Sequence, residues 1–95
     1  MTSEVRNAID SERDYQQKKW PNHKHTVGEW ILIMDKCMTD AKRAWVCGHG
    51  DNQALNEIRQ VVTVGVAAME QHGSPKRQPS LPVRMAIFPG ENQSK

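Results

Sequence analysis

Apolar residues along this chain recur at helical rather than strand spacing, in three blocks separated by turn residues. The first block is sparse. Val5, Ala8 and Ile9 are followed by a polar run towards Tyr15 and Trp20. Thr2 or Ser3 can cap a helix here, and Pro21 stops it. So polar a helix needs neighbours or a second subunit, because an isolated helix of this length is marginal in water.

The second block follows the short connection PNHKH at 21–25, where Thr26-Val27-Gly28-Glu29 has the T-x-x-E form of a capping box. Val27, Trp30, Ile31, Met34, Met38, Ala41 and Trp45 then repeat as one stripe, which reads as core. Trp30 and Trp45 on that stripe read as core or subunit interface. Gly48 and Gly50 end the helix through left-handed backbone. Asp51 or Asn52 is the expected cap of a third helix, where Leu55, Ile58, Val62, Gly65 and Met69 define one face. Its run VVTVGVAAM is apolar nearly all round, so the helix is expected to be buried, with Gly65 open to close approach. The β-branched residues of that run suit a strand, but its length, the cap before it and Gly73 after it favour helix.

From Ser74 the chain holds four of its five prolines and loses helical periodicity. The expected fold is therefore all-α: an up-down-up core of three helices over 1–73 with an extended, proline-rich arm over 74–95. Oligomerisation would complete the bundle. A domain of 95 residues buries only about 60 to 65% of its unfolded surface, so its margin of stability is thin and a homo-oligomer is expected.

Charge narrows the picture less than pattern does. The formal charge of +2 comes from 13 basic and 11 acidic residues spread along the chain, without the basic run of a nucleic-acid arm. A nucleic-acid role is accordingly disfavoured. Cys37 and Cys47 are separated by ten helical residues, roughly 15 Å, which is beyond bridging distance. Reduced thiols fit a cytoplasmic protein. The N-terminus lacks the apolar core of a signal peptide, and the longest uncharged run, Gln60 to Met69, is too short to span a membrane.

The order of features, a polar first helix, GEW opening a long second helix, a G-H-G-D turn and then E-I-x-Q-V-V opening an apolar third, resembles the small phage-type MazG-like proteins. The resemblance covers roughly residues 12 to 73. It implies an all-α nucleoside triphosphate pyrophosphohydrolase fold, a nucleotide ligand, and magnesium held by E-E-x-x-E on one helix and E-x-x-D on the next. This chain departs from that pattern. Lys36 and Cys37 stand among the positions of the first motif, leaving Asp40 or Asp35, and Glu57-Ile58-Arg59-Gln60 carries glutamine in place of the second motif's aspartate. Asp40 and Glu57 are the carboxylates left for a metal. Two are a poor magnesium site, so hydrolysis by the family mechanism is expected to be weak or lost.

A lysine in a degraded metal site can stand opposite a phosphate, which turns a hydrolase into a binder. The candidate phosphate partners are Lys24, His25, Lys36, Arg43 and Arg59. Glu29, Lys36, Asp40 and Arg43 share one helix face, and the plainer reading is a solvated surface with i,i+4 and i,i+3 pairs. Tyr15 and Trp20, beside Arg13, Lys18 and Lys19, can stack a base; the alternative makes both rings core anchors. The run His23-Lys24-His25 precedes a helix N-terminus that favours an anion. A zinc site from His23, His25 and His72 is conceivable but lacks a fourth ligand. No glycine-rich phosphate loop, G-x-S-x-G elbow or CxxC pair occurs.

The leading functional expectation is thus a phage-type, MazG-like protein that binds or sequesters a nucleotide or nucleotide signal, in a possible anti-defence role. It needs no cofactor unless it is a magnesium-dependent pyrophosphohydrolase, the first alternative. The second alternative is an oligomeric inhibitor that docks on a host protein through its first helix or through the arm around Val83, Met85, Ile87 and Phe88.

Overall fold

The computed structural model describes residues 1–79. It comprises α1 (Ser3–Lys19), α2 (Val27–Val46) and α3 (Asp51–His72) in up-down-up order, so the all-α architecture expected from periodicity is the one observed. The apolar centre of the arm, Val83 to Phe88, lies outside the described residues.

Local chemistry sets the helix ends. Thr2 caps α1 by accepting the Val5 N–H, and Pro21-Asn22 turns the chain out of it, with Asn22 at φ 60° where its short side chain tolerates left-handed backbone. Both halves of the capping box at α2 are present: the Glu29 N–H donates to Thr26 Oγ1 at 3.1 Å and the Thr26 N–H donates to Glu29 Oε1 at 2.8 Å. At α3 the expected cap is corrected. Gly50 occupies the cap position with φ 92° and no side-chain hydrogen bond, while Asp51 lies inside the first turn, where its charge faces the positive end of the helix dipole.

The core is small. Trp30 on α2 packs with Val64 and Ala67 on α3, flanked by Ile33, Met34, Cys37 and Ala68. The Met34 side chain reaches α3 at Gly65, where an added Cβ would stand 3.3 Å from Met34 Cε. α1 packs on α3 and, among the described residues, makes no contact with α2. No residue of α1 is buried. Polar ties hold it instead. Gln16 Nε2 donates to Thr63 Oγ1 at 3.0 Å, Arg59 Nε donates to Glu12 Oε1 at 3.0 Å, and Arg13 pairs with Glu70. Thr63 is fully buried and passes its own proton to the Arg59 carbonyl at 2.9 Å.

The core assignments need a second correction. Val27, Ile31, Met38 and Trp45, read as core from the α2 stripe, are 44 to 65% exposed, and Leu55, Ile58, Val62 and Met69 of α3 are 42 to 59% exposed. Periodicity locates an apolar stripe, but it does not say that the chain itself supplies the surface to cover it. α1 and α2 sit on other sides of α3, so among the described residues the exposed members of these stripes stay uncovered.

Because Thr63 is the one buried link to α1, Thr63→Val should cost about 1 to 2 kcal/mol, leaving the Gln16 amide without its partner while adding no polar contact. Urea unfolding reads this directly, and an unchanged midpoint would show that α1 is held by something else.

Candidate functional site

α1 and α2 both lie against α3 without touching each other, so they wall a cleft of about 990 Å³ whose floor is α3. That volume is in the range of small-molecule sites. Ile33, Val64 and Ala67 give the floor an apolar centre, and Gln16, Gln60 and Gln71 place amides along it. On the rim Lys24 stands beside two ion pairs, Arg13 with Glu70 and Lys36 with Asp40, all four of whose side chains line the cleft.

One end of the cleft is aromatic. Trp30 lies edge-on to His25 with ring centroids 4.9 Å apart, His25 lies edge-on to His23 at 4.0 Å, and His23 is 5.9 Å from Trp20. The connection between α1 and α2 is pinned in this shape by Gln71. Its amide nitrogen donates to the His23 carbonyl at 2.6 Å, while its oxygen accepts from Trp30 Nε1 at 3.0 Å and from the His25 N–H at 3.2 Å. His72 adds a ring-nitrogen contact to the His25 carbonyl at 2.7 Å.

The residues expected from sequence divide into those this cleft gathers and those it does not. Trp20, Lys24, His25 and Lys36 line it. Trp20 is 45% exposed, so the reading of it as a core anchor fails; Lys19 Nζ lies 4.9 Å over its ring and His23 packs beside it. Tyr15 is not among the lining residues. It is 53% exposed and engaged with Lys19, whose Nζ donates to its hydroxyl at 3.3 Å. Arg59 is also absent from the cleft, since Glu12 and Asn56 occupy its guanidinium on the side facing α1. Arg43 lines a second, smaller cleft of about 290 Å³ with Asp40, His49 and Glu57.

Asp40 and Glu57 therefore do converge, on that smaller cleft. Their surroundings suit a cation badly. Lys36 Nζ already holds Asp40 Oδ2 at 3.0 Å, and Arg43 lines the same space, so positive charge stands where magnesium would need uncompensated carboxylates. The residues present do not fit a resident magnesium ion. The histidines fare no better as zinc ligands. His23 and His25 turn their Nε2 atoms on each other, but His72 spends its Nε2 on a backbone carbonyl. Among the described residues no group of three or more His, Cys, Asp or Glu side chains is arranged to hold a metal.

At the start of α2, where an anion was expected, a carboxylate of the chain already stands. Glu29 places its carboxylate on the Thr26 N–H, and its pKa is lowered chiefly by that backbone hydrogen bond and by the Thr26 hydroxyl, with His25 adding to the shift. The Cys37 thiol, half-buried against the core, is pushed up by burial and by the Asp40 charge, which opposes a nucleophilic role. Gln16, Gln60 and Gln71 were not legible as site residues. Glutamine carries no charge and no motif, and only the fold shows that these three face one cleft.

Comparison with family models, with curated proteins and with solved structures returned no match.

His23 titrates below the ordinary value of 6.5, first because burial disfavours its charged form and then because His25 stands beside it. A lowered folded-state value means that the unfolded chain binds more protons in this window, so His23 contributes stability that is lost as pH falls below about 6.5. Following tryptophan fluorescence against pH should give a midpoint below 6.5 that moves upward in His25→Asn. A wild-type midpoint at or above 6.5 would contradict the geometry.

Proposed function

We propose that the protein binds a nucleotide or nucleotide-derived anion in the cleft between α1 and α2 and holds it without hydrolysis. The observation that carries this reading is the convergence of an exposed indole, Trp20, with Lys24, His25 and Lys36 around one apolar-floored cleft. A base stacks on an aromatic face with little regard for its identity, while ammonium groups a few ångströms away take the phosphates. Lys19 already lies 4.9 Å over the Trp20 ring, which adds a cation at the outer edge of the stack. The amide of Gln60 supplies a donor and an acceptor for a sugar or base edge.

Sequestration is favoured over catalysis by the charge around Asp40. Its carboxylate is compensated by Lys36 at 3.0 Å, and the same lysine borders the larger cleft. As it stands that ammonium neutralises a metal ligand, and on leaving Asp40 it can turn to a phosphate. The resemblance to MazG-like proteins points to the same ligand class, and a phage-type role in intercepting a host nucleotide signal follows from it as the biological setting. A magnesium-dependent pyrophosphohydrolase is the second reading: Asp40 and Glu57 line one small cleft, but Lys36 and Arg43 stand beside them, which ranks it behind sequestration. No described helix is long and apolar enough to cross a membrane.

Calorimetric titration with nucleoside triphosphates and cyclic or ADP-ribose-type nucleotides should show binding that does not require magnesium, and the recovered ligand should be intact by chromatography. Trp20→Ala should weaken binding by roughly tenfold or more, the loss of one base stack. Lys36→Ala should weaken it as well, whereas Tyr15→Ala and Arg43→Ala should leave it unchanged. Release of pyrophosphate only with magnesium would favour the hydrolase, and equal losses at Tyr15 and Trp20 would place the ligand elsewhere.

A further inference from the structure

On the side of the α2–α3 pair that faces away from the cleft, two apolar stripes run beside each other. In α2, Val27, Ile31, Met34, Met38, Ala41 and Trp45 follow one another at alternating steps of four and three residues, and in α3 so do Leu55, Ile58, Val62, Gly65 and Met69. At 100° per residue the exposed members of the α2 set fall within roughly 40° of one another and those of the α3 set within roughly 60°. Met34 touches the space above Gly65, so the stripes border the same seam and form one surface. Cleft-lining Ile33, Lys36 and Asp40 of α2 and Gln60, Val64 and Gln71 of α3 lie on the opposite sides of their helices.

We infer that this surface is the interface with a second copy of the chain, α2 crossing α2 and α3 crossing α3 antiparallel about a two-fold axis near Met38 and Val62. Three observations carry the choice of occupant. The first is area: eight large side chains, each 42 to 65% exposed, present on the order of 800 Å², which is what one subunit gives to a stable interface of standard size. The second is level. Met34 opposes Gly65, and in antiparallel helices four residues along from each lie Met38 and Val61, so Met38 and Val62 occupy nearly the same height and share one axis. The third is charge. Asp35 and Lys42 flank the α2 stripe on its outer edge, seven residues apart and centred on Met38; among the described residues neither is ion-paired within the chain. A two-fold axis at Met38 sets Asp35 of one protomer opposite Lys42 of the partner subunit, twice, whereas parallel α2 helices in register would oppose like charges.

The same axis places Trp45 of one protomer over Ile31 of its partner and Leu55 over Met69, so an indole meets a β-branched side chain and a γ-branched one meets a linear one at each end. The chain's own residues 80–95 are a poorer occupant. Their apolar stretch, Val83 to Phe88, is six residues and extends at most about 20 Å, enough for one groove and not for a surface two helices wide. Such an interface leaves the cleft open, so it stands or falls separately from the nucleotide reading.

Sedimentation equilibrium of the full chain tests it. A dimer at tens of micromolar is expected, and Val62→Glu, at an exposed position, should give a monomer of unchanged helical circular dichroism. Asp35→Lys and Lys42→Asp should each raise the dissociation constant by roughly tenfold, and the two together should restore it. A chain ending at Pro79 should dimerise as the full chain does. A wild-type monomer, a dimer unmoved by Val62→Glu and by the charge reversals, or a dimer lost on removing 80–95 would each overturn the proposal.

Discussion

Contact between α2 and α3 around Gly65 is the constraint on which the rest of the molecule depends. With no side chain at Gly65, Met34 can lie within van der Waals reach of the α3 backbone, and that approach brings Trp30 over Val64 and Ala67. Burying Trp30 to 5% exposure is the largest single apolar gain available to this chain, on the order of 2 to 3 kcal/mol or more for so large a ring. Close packing at one point fixes the rotation of both helices, and the rotation decides which residues face the cleft and which face away.

Directional bonds attach the rest to that pair, beside the half-buried Ala8 and Ile9 of α1. α1 contributes no buried residue and is held by an amide, a hydroxyl and two guanidinium pairs, each of which requires a defined register but contributes modestly in the presence of water. The connection from α1 to α2 is held by Gln71, whose amide reaches the backbone of His23 and His25 and the indole of Trp30 at once, together with His72 on the His25 carbonyl. This gives a structure with a firm centre and a less firmly held wall. A cleft bounded by such a wall can adjust to a ligand at small cost, since no apolar core has to open.

Sequence alone was sufficient for the helices and their ends because these are local matters. The capping box at Thr26 and Glu29, the stop at Pro21 and the turn at Gly48 to Gly50 were all legible, and the one error, a side-chain cap before α3, came from Asp51 being one residue too late. Burial was not legible in the same way. A stripe at helical spacing looks alike whether it faces its own chain or another, so Trp30 and Trp45 were indistinguishable on the page although one is 5% and the other 65% exposed. The candidate site was half visible. Charged and aromatic residues announce themselves, hence Trp20, Lys24, His25 and Lys36, but Tyr15 and Arg59 looked equally suitable and are engaged with Lys19 and Glu12 instead. The glutamines were invisible until three elements placed them together.

A ligand face and an apolar face divide the α2–α3 pair without overlap, and hydrogen exchange followed peptide by peptide tests that division most directly. Measured with and without bound nucleotide, and at high and low protein concentration, it should show ligand protection in the connection around residues 20–26 and its anchor at the end of α3. Dilution should instead speed exchange through the middle of α2 and α3 around Met38 and Val62. Ligand and dilution acting on the same peptides would contradict the account.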